Sequence, residues 1–421
     1  MNIYALNIKR IFITGVLLVA GFSLVAWGVN YLRYGKLTVT ASSETAEIYL
    51  IEELGAEPKR VGTKTAAVRL KPGRYELQVK DGGAETRFAA TVERAKTANA
   101  DIELVQPKNA EIVIPQSAQN MTLSGSRLRF LDPNLNLVYE TSTSPSEVGQ
   151  PQELFTDAPQ FTQVDWLGFA KGVALSKSGD PYLLEGSSAN RLELAGLADT
   201  SNPSLIGKPF AVNASGQLAI IDGGSLFFYP GIGVQPTKVA DGLKQDAQLF
   251  LSNDGKILYA EQPPLESDFE YPDDEQVRVT EESVRVTVFD GTTAQTLNER
   301  TVSENKDFII SAWWSPDNKE FVYASPIGLY AHNVDSTSSR PLLASFGEIT
   351  SVYWLSDATL AVTNGQAVWR IDTGRATAQK LSKDAGHTDY ADSLVTDGNY
   401  FYFGTRDRNK FATGTVFRIP R

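Results

Sequence analysis

The chain has 421 residues, with 50 acidic side chains against 39 basic ones and a net charge of −11. That is long enough for two or three domains, and too acidic to select for a phosphate backbone, so nucleic acid is excluded as a partner. The absence of cysteine removes disulfides, thiolate zinc sites and thiol catalysis, and two histidines, His332 and His387, cannot build a multi-histidine metal centre.

Residues 1–10 form a short tail. The run from Ile11 to Leu32 carries no charged side chain and is bracketed by Lys9-Arg10 and Arg33. About 20 mainly apolar residues suffice to cross a bilayer, so this run is expected to be a transmembrane helix, with the lipid bilayer as its partner. Trp27, Tyr31 and Tyr34 gather at its C-terminal end, where aromatic rings favour the headgroup region. A cleaved signal peptide, cut near Ala26-Trp27-Gly28, is the competing reading. Basic side chains tie across the run, and the folded cargo after Arg33 is expected outside the cytoplasm.

From Leu37 to about Leu104 the pattern changes to short alternating strands: LTVTA, AEIYLIEE, AAVRL-KPG-RYELQVKDGG, TRFAATVE and ANADIELVQ. Pro72-Gly73 is expected to form a type II turn with Gly73 at positive φ, and Leu70, Tyr75, Leu77 and Val79 to supply a buried face around it. AEIYL, Val61-Gly62-Thr63 and VRLKPGRYELQV with the following Gly82-Gly83 resemble the PEGA domain, a small β-sandwich of microbial envelope proteins. The resemblance covers residues 37–106 and departs at Ala41 to Ala46, where ASSETA replaces the eponymous Pro-x-Gly-Ala. It implies packing and display, without catalytic residues. Only Arg33 to Lys36 separate this segment from the span, so it is expected to stand near the headgroups as a pedestal.

Residues 109–421 read as a repeat. The clearest copy is SAWWSPDNKEFVYASPIGLY, Ser311 to Tyr330: an aromatic strand, the polar turn Ser-Pro-Asp-Asn-Lys, a second strand, a break, and a third strand opening at Leu329. GSRLRFLDPNLNLVY (Gly125 to Tyr139) looks like the later strands of an opening unit. Landmarks then recur at Trp166, Ala211, Leu249, Trp313, Tyr353 and Leu394, at intervals of 45, 38, 64, 40 and 41 residues. Such spacing suits the roughly 40–45 residues of a four-stranded propeller blade. The fold class is therefore all-β: a β-propeller of six or seven blades, seven preferred, after the span and the small sandwich. Thr415 to Ile419 (TVFRI) is expected to close the ring by sharing a sheet with the segment after Lys108. Through Ser-Pro-Asp-Asn-Lys and Ser-Asn-Asp-Gly-Lys the region resembles the WD-repeat-like propeller of the Tol-Pal translocation protein. The whole combination resembles a membrane-anchored PEGA protein with a C-terminal propeller.

The long interval marks an insertion, 261–282, with nine acidic residues against Arg278 alone. Charge this dense, with three prolines, is expected to form an exposed loop that docks a basic partner through Asp273, Asp274 and Glu275, or holds Ca²⁺, the one cofactor the sequence suggests. Such an insertion is more often only a solvated extension that keeps the surface soluble. His332 and His387 are expected at the surface or in turns, and the Trp313-Trp314 pair in core packing, with sugar stacking as the other option.

No Gly-x-Ser-x-Gly elbow, phosphate-binding glycine loop or complete sialidase repeat occurs, and no spacing singles out a catalytic carboxylate pair. The expectation is a non-enzymatic, extracytoplasmic, membrane-anchored envelope protein whose propeller binds a protein partner or a wall polymer. A polysaccharide-acting hydrolase or lyase is the alternative, favoured if three or more acidic or aromatic side chains converge on one channel mouth.

Overall fold

The computed structural model describes residues 33–52, 57–144, 150–194, 204–263, 282–291, 293–302, 308–326, 328–336, 339–344, 349–384, 389–407 and 414–421. Its backbone divides into two compact units between Val105 and Gln106. Every named element is a strand. Among the described residues no helix is long and apolar enough to cross a membrane, and the expected span, Ile11 to Leu32, lies outside them.

The first unit has seven strands: β1 (Gly35–Ala41), β2 (Glu47–Ile51), β3 (Lys59–Thr63), β4 (Thr65–Leu70), β5 (Gly73–Asp81), β6 (Ala84–Val92) and β7 (Thr97–Ile102). They follow one another in space as β6-β5-β2-β3-β4-β1-β7, antiparallel except for β1 with β7. Only Thr63 and Thr65 pair between β3 and β4, so the sheet folds over at Lys64, whose φ is 58°. Folding brings the inward residues of both halves together: Leu37 and Val39 from β1 join Ile48, Leu50, Leu77, Val79 and Phe88 in one buried cluster. Leu70 belongs to it and Tyr75 packs against it, as the sequence pattern predicts.

The turn at Pro72-Gly73 differs from expectation. β4 pairs with β1 and β3, and β5 with β2 and β6, so these two residues carry the chain from one half of the sandwich to the other. No hairpin forms there, and Gly73 is not among the positive-φ residues. The tight hairpin is one strand later. Asp81 pairs with Ala84, and Gly82 and Gly83 have φ of 55° and 100°, the two positive values that a type I′ turn needs.

The second unit is a ring of seven four-stranded antiparallel sheets, a seven-bladed β-propeller. Blade 1 runs from Gln119–Ser124 to Gln152–Glu153, and blade 2 from Phe161–Gly168 to Ser188–Arg191. Blades 3, 4, 5 and 6 open with Phe210–Val212, Gln248–Leu251, Ser311–Trp314 and Ser351–Ser356. The six sequence landmarks all fall in the opening strands of blades 2 to 7. Blade 7 contains Asp389–Thr396, Tyr400–Asp407 and Gly414–Pro420, and its outermost strand is β8 (Glu111–Ile114), from the beginning of the unit. Val416 pairs with Ile114, Phe417 with Ile112, and Arg418 with Glu111. The ring thus closes where TVFRI was expected to close it, and no ladder edge is left open between last and first blade.

The second strands of the blades read as continuous apolar runs because each blade is covered on both faces. Ile257–Ala260 is buried throughout, and Glu320–Ser325 is buried at every residue but its first. Each cluster joins neighbouring blades. Ile221 and Leu226 of blade 3 meet Ile257 and Tyr259 of blade 4, and Leu258 and Val288 of blade 4 meet Phe321 and Tyr323 of blade 5. Phe130 of blade 1 meets Val416 and Tyr402 of blade 7.

The polar turns are closed by buried serines. Ser315 Oγ donates to Asp317 (2.7 Å) and accepts from the Glu320 amide (3.0 Å); Ser252 Oγ does the same with Asp254 (2.6 Å) and Lys256 (2.7 Å). The fourth residue of each turn is left-handed, Asn318 at φ 58° and Gly255 at φ 94°, conformations that Asn and Gly tolerate best.

Candidate functional site

Opening strands of propeller blades face the ring axis, and here they enclose a cavity of about 440 Å³. Blades 1, 2, 3, 6 and 7 contribute to its wall, among them Asn120, Asp165, Trp166, Ser351 and Ser393. Its lining is predominantly polar in character, and among the described residues Asp165 is the only acid in it.

A relay of side-chain-to-backbone bonds fixes this wall. Ser351 of blade 6 accepts the Leu394 amide of blade 7 (3.0 Å), and Ser393 of blade 7 accepts the Met121 amide of blade 1 (3.0 Å). Trp166 Nε1 of blade 2 donates to the Asn120 carbonyl of blade 1. Blade 5 repeats the last device on blade 4, where Trp314 Nε1 donates to the Phe250 carbonyl (3.2 Å). Two of the relay positions sit on β-bulges with left-handed backbone: Asn120 at φ 47°, and Ser393 at φ 50° within the register shift between Asp392 and Leu394. Bulges re-aim side chains at strand ends, and non-glycine residues held at positive φ cost about 1–3 kcal/mol, so such sites cluster where function needs them. Trp166 pairs with Gly172, where a Cβ would come within 3.0 Å of the indole, so the glycine makes room for the ring.

Asp165 stands between Val164, which is buried against blade 1, and Trp166. Strand alternation turns it to the face opposite Val164, and it lines the cavity. It is half-buried; its Oδ2 accepts from Gln163 Nε2 at 2.8 Å, and loss of solvent around it pushes its carboxyl up from 3.8 to about 6, against the opposing pull of that hydrogen bond. The sequence reading passed over Asp165. A signal existed: the residue just before the landmark is Phe210, Gln248, Ala312, Val352 or Ser393 in other blades, and only before Trp166 is it charged.

The docking residues expected from sequence, Asp273, Asp274 and Glu275, lie outside the described residues, as does most of the 261–282 insertion and with it the expected Ca²⁺ position. Its first residue is a correction. Glu261 is buried, accepts from Tyr259 Oη (3.0 Å) and the Arg285 amide (3.2 Å), and lies near Lys244 and Arg285 (3.6 and 3.4 Å). It belongs to the blade and not to an exposed loop, because it extends the strand Ile257–Ala260 into cationic partners. His332 is likewise a core residue, 2% exposed, with Nδ1 3.1 Å from Ser339 Oγ and its ring stacked on Phe321; an apolar strand on both sides carries it inside. His387 lies outside the described residues. Trp314 packs against the blade 4–5 cluster, its ring tilted by 58° to that of Phe321 with centroids 5.2 Å apart. Among the described residues no group of three or more His, Cys, Asp or Glu side chains could hold a metal ion.

No protein-family profile matches the sequence, and no curated protein sequence matches it. The chain is similar in structure to propeller-like proteins. One is YCF48 bound to D1 peptide, at 11% identity over 75% of this chain and 98% of that one, with a TM-score of 0.49. YCF48 from Cyanidioschyzon merolae is 13% identical over 74% and 99%, with a TM-score of 0.47. A streptogramin B lyase is 9% identical over 74% and 96%, also with a TM-score of 0.47. Likenesses this distant transfer no residue roles.

Proposed function

We propose that the propeller is a non-catalytic binding module, held outside the cytoplasm by the span at 11–32 and the PEGA-like unit, and that it takes a protein partner or a wall polymer at its axial cavity. One observation carries the reading: among the described residues the cavity wall holds a single carboxylate. Glycoside hydrolysis in its usual form needs two carboxyl groups across the scissile bond. Among the described residues of the wall, Asp165 and Trp166 together fall short of the three converging acidic or aromatic groups that favour the hydrolase or lyase alternative.

The test uses the full chain and isolated envelope material. Stoichiometric retention, lost in the cavity-filling variant Ser351→Trp, is expected. Time-dependent release of soluble fragments would establish the alternative. The acidic insertion is the second contact in this reading. Replacing Asp273, Asp274 and Glu275 by Asn, Asn and Gln should weaken retention at low salt and leave it unchanged at high salt, since exposed charges act at long range and are screened. External protease on intact cells should remove everything after the span; protection until lysis would reverse the topology.

A further inference from the structure

We propose that the axial cavity is a site for a primary ammonium or guanidinium group, seated on the Asp165 carboxylate. The inference rests on the binding reading above and names the chemistry of what binds.

Four observations lead to it. First, Asp165 lies in the wall of a 440 Å³ space, within the range of small-ligand pockets, and that space admits a side chain the length of lysine or arginine. Second, the carboxylate has one hydrogen-bond partner among the described residues, the neutral Gln163 amide on Oδ2, so its charge is uncompensated. Even a half-buried carboxylate in that state gains from a cation that joins it. Third, the described residues around Asp165 offer no unpaired cation. On the strands packed against Asp165 the charged groups are Lys171, paired with Glu185 at 3.2 Å, and Arg127 and Arg129, both paired with Glu140. Asp132 is held by Gln116 at 2.6 Å, and the opening strands of blades 1 and 3 carry no ionisable side chain. Fourth, the donor set disfavours a hard divalent ion, which asks for six or more oxygens and usually several carboxylates. One carboxylate among hydroxyl and amide groups suits a monovalent, hydrogen-bonding cation, and Trp166 in the same wall supplies the best side chain for cation–π attraction.

The burial that raises the Asp165 carboxyl makes the site pH-sensitive. Above about pH 6 the free site carries its charge; below that value it is protonated and loses its attraction for a cation.

The experiment is calorimetric titration of the full chain with Nα-acetyl-lysine methylamide and with agmatine, using Nα-acetyl-norleucine methylamide as the uncharged control. At pH 7.5 the charged probes should bind at least about tenfold more tightly than the control, and Asp165→Asn should remove that difference. Affinity in the unaltered protein should fall about tenfold on going to pH 5, an arm that stands even if the variant misfolds. Tighter binding of the blocked lysine points to a side chain presented by a partner, and tighter binding of agmatine to a free amine. Equal binding of the norleucine control, no binding of either charged probe, or full binding by a folded Asp165→Asn protein would overturn the proposal. If envelope retention then persists in Asp165→Asn but is lost in Ser351→Trp, the binding reading stands and only the cation assignment falls.

Discussion

Ser393 Oγ accepts the amide hydrogen of Met121 at 3.0 Å, joining the opening strand of the last blade to that of the first across 272 residues of sequence. The bond exists because a bulge turns Ser393 into the left-handed region, away from the ladder and towards its neighbour. Met121 is 7% exposed, so its amide has little access to water. Removing the hydroxyl in Ser393→Ala should cost about 1–2 kcal/mol, the penalty of an orphaned buried donor. Urea melts check it; a loss below about 0.3 kcal/mol would show that the amide finds another acceptor.

The ring closure makes a second, larger prediction. Val416 and Ile114 are paired and are 0% and 1% exposed, at the one seam where the two ends of the unit meet. Val416→Asp places an unpaired charge in that seam and should destabilise the propeller by about 3 kcal/mol or more. Arg418 holds Glu111 at 2.9 and 3.0 Å on the exposed side of the same seam, and Glu111→Gln should cost under about 1 kcal/mol. Chemical denaturation of both variants separates the apolar closure from the ion pair; equal losses would contradict the assignment.

In the small sandwich, Gly83 and Gly73 should respond unequally to the same change. Gly83→Ala forces a side chain to φ 100° and should lose about 1 kcal/mol or more. Gly73 is not left-handed, and an added Cβ there meets only the Tyr75 ring at an ordinary 3.6 Å, so Gly73→Ala should stay within about 0.5 kcal/mol of the original. Thermal melts of the full chain, followed at the first transition, decide between them.

That contrast shows what the sequence could reveal. Local turn chemistry was readable wherever one short motif determines the backbone, as in the serine-closed turns at Ser315 and Ser252. The blade landmarks were readable because opening strands recur at a fixed spacing. The KPG turn was misread because strand pairing is non-local: nothing near Gly73 states that β4 and β5 belong to different halves of a sandwich. Glu261 was misread for a related reason. Charge density marks an insertion but not where the strand before it ends, and that boundary is set by Lys244 and Arg285, distant in sequence. Asp165 was overlooked because an acid in an alternating strand usually faces solvent, and only ring closure turns that face inward.

Asp165 also makes the propeller pH-dependent in an unusual direction. Its carboxyl is raised by burial to about 6 from 3.8, so between those values the folded state holds a proton that the unfolded state has released. The stabilisation is fully present below about pH 3.8 and is lost as pH rises through about 6. At pH 7.5 the ionised, unpartnered carboxylate costs on the order of 1–3 kcal/mol. Asp165→Asn should therefore be more stable than the original at pH 7.5, with the advantage shrinking towards pH 5. Denaturant melts at the two values check the sign; a variant that is less stable at both would contradict a half-buried carboxylate without a cationic partner.

The central claim is that a partner seats in the axial cavity, and the absence of cysteine makes it directly measurable. Ser351→Cys places a unique thiol in the cavity wall, and Ser187→Cys places one at an exposed turn on blade 2. The measurement is the rate of maleimide labelling of each thiol, with and without bound envelope material. The account predicts that binding slows labelling at position 351 severalfold and leaves position 187 unchanged. Unchanged labelling at 351 while material is demonstrably bound would contradict it and move the binding surface off the axis.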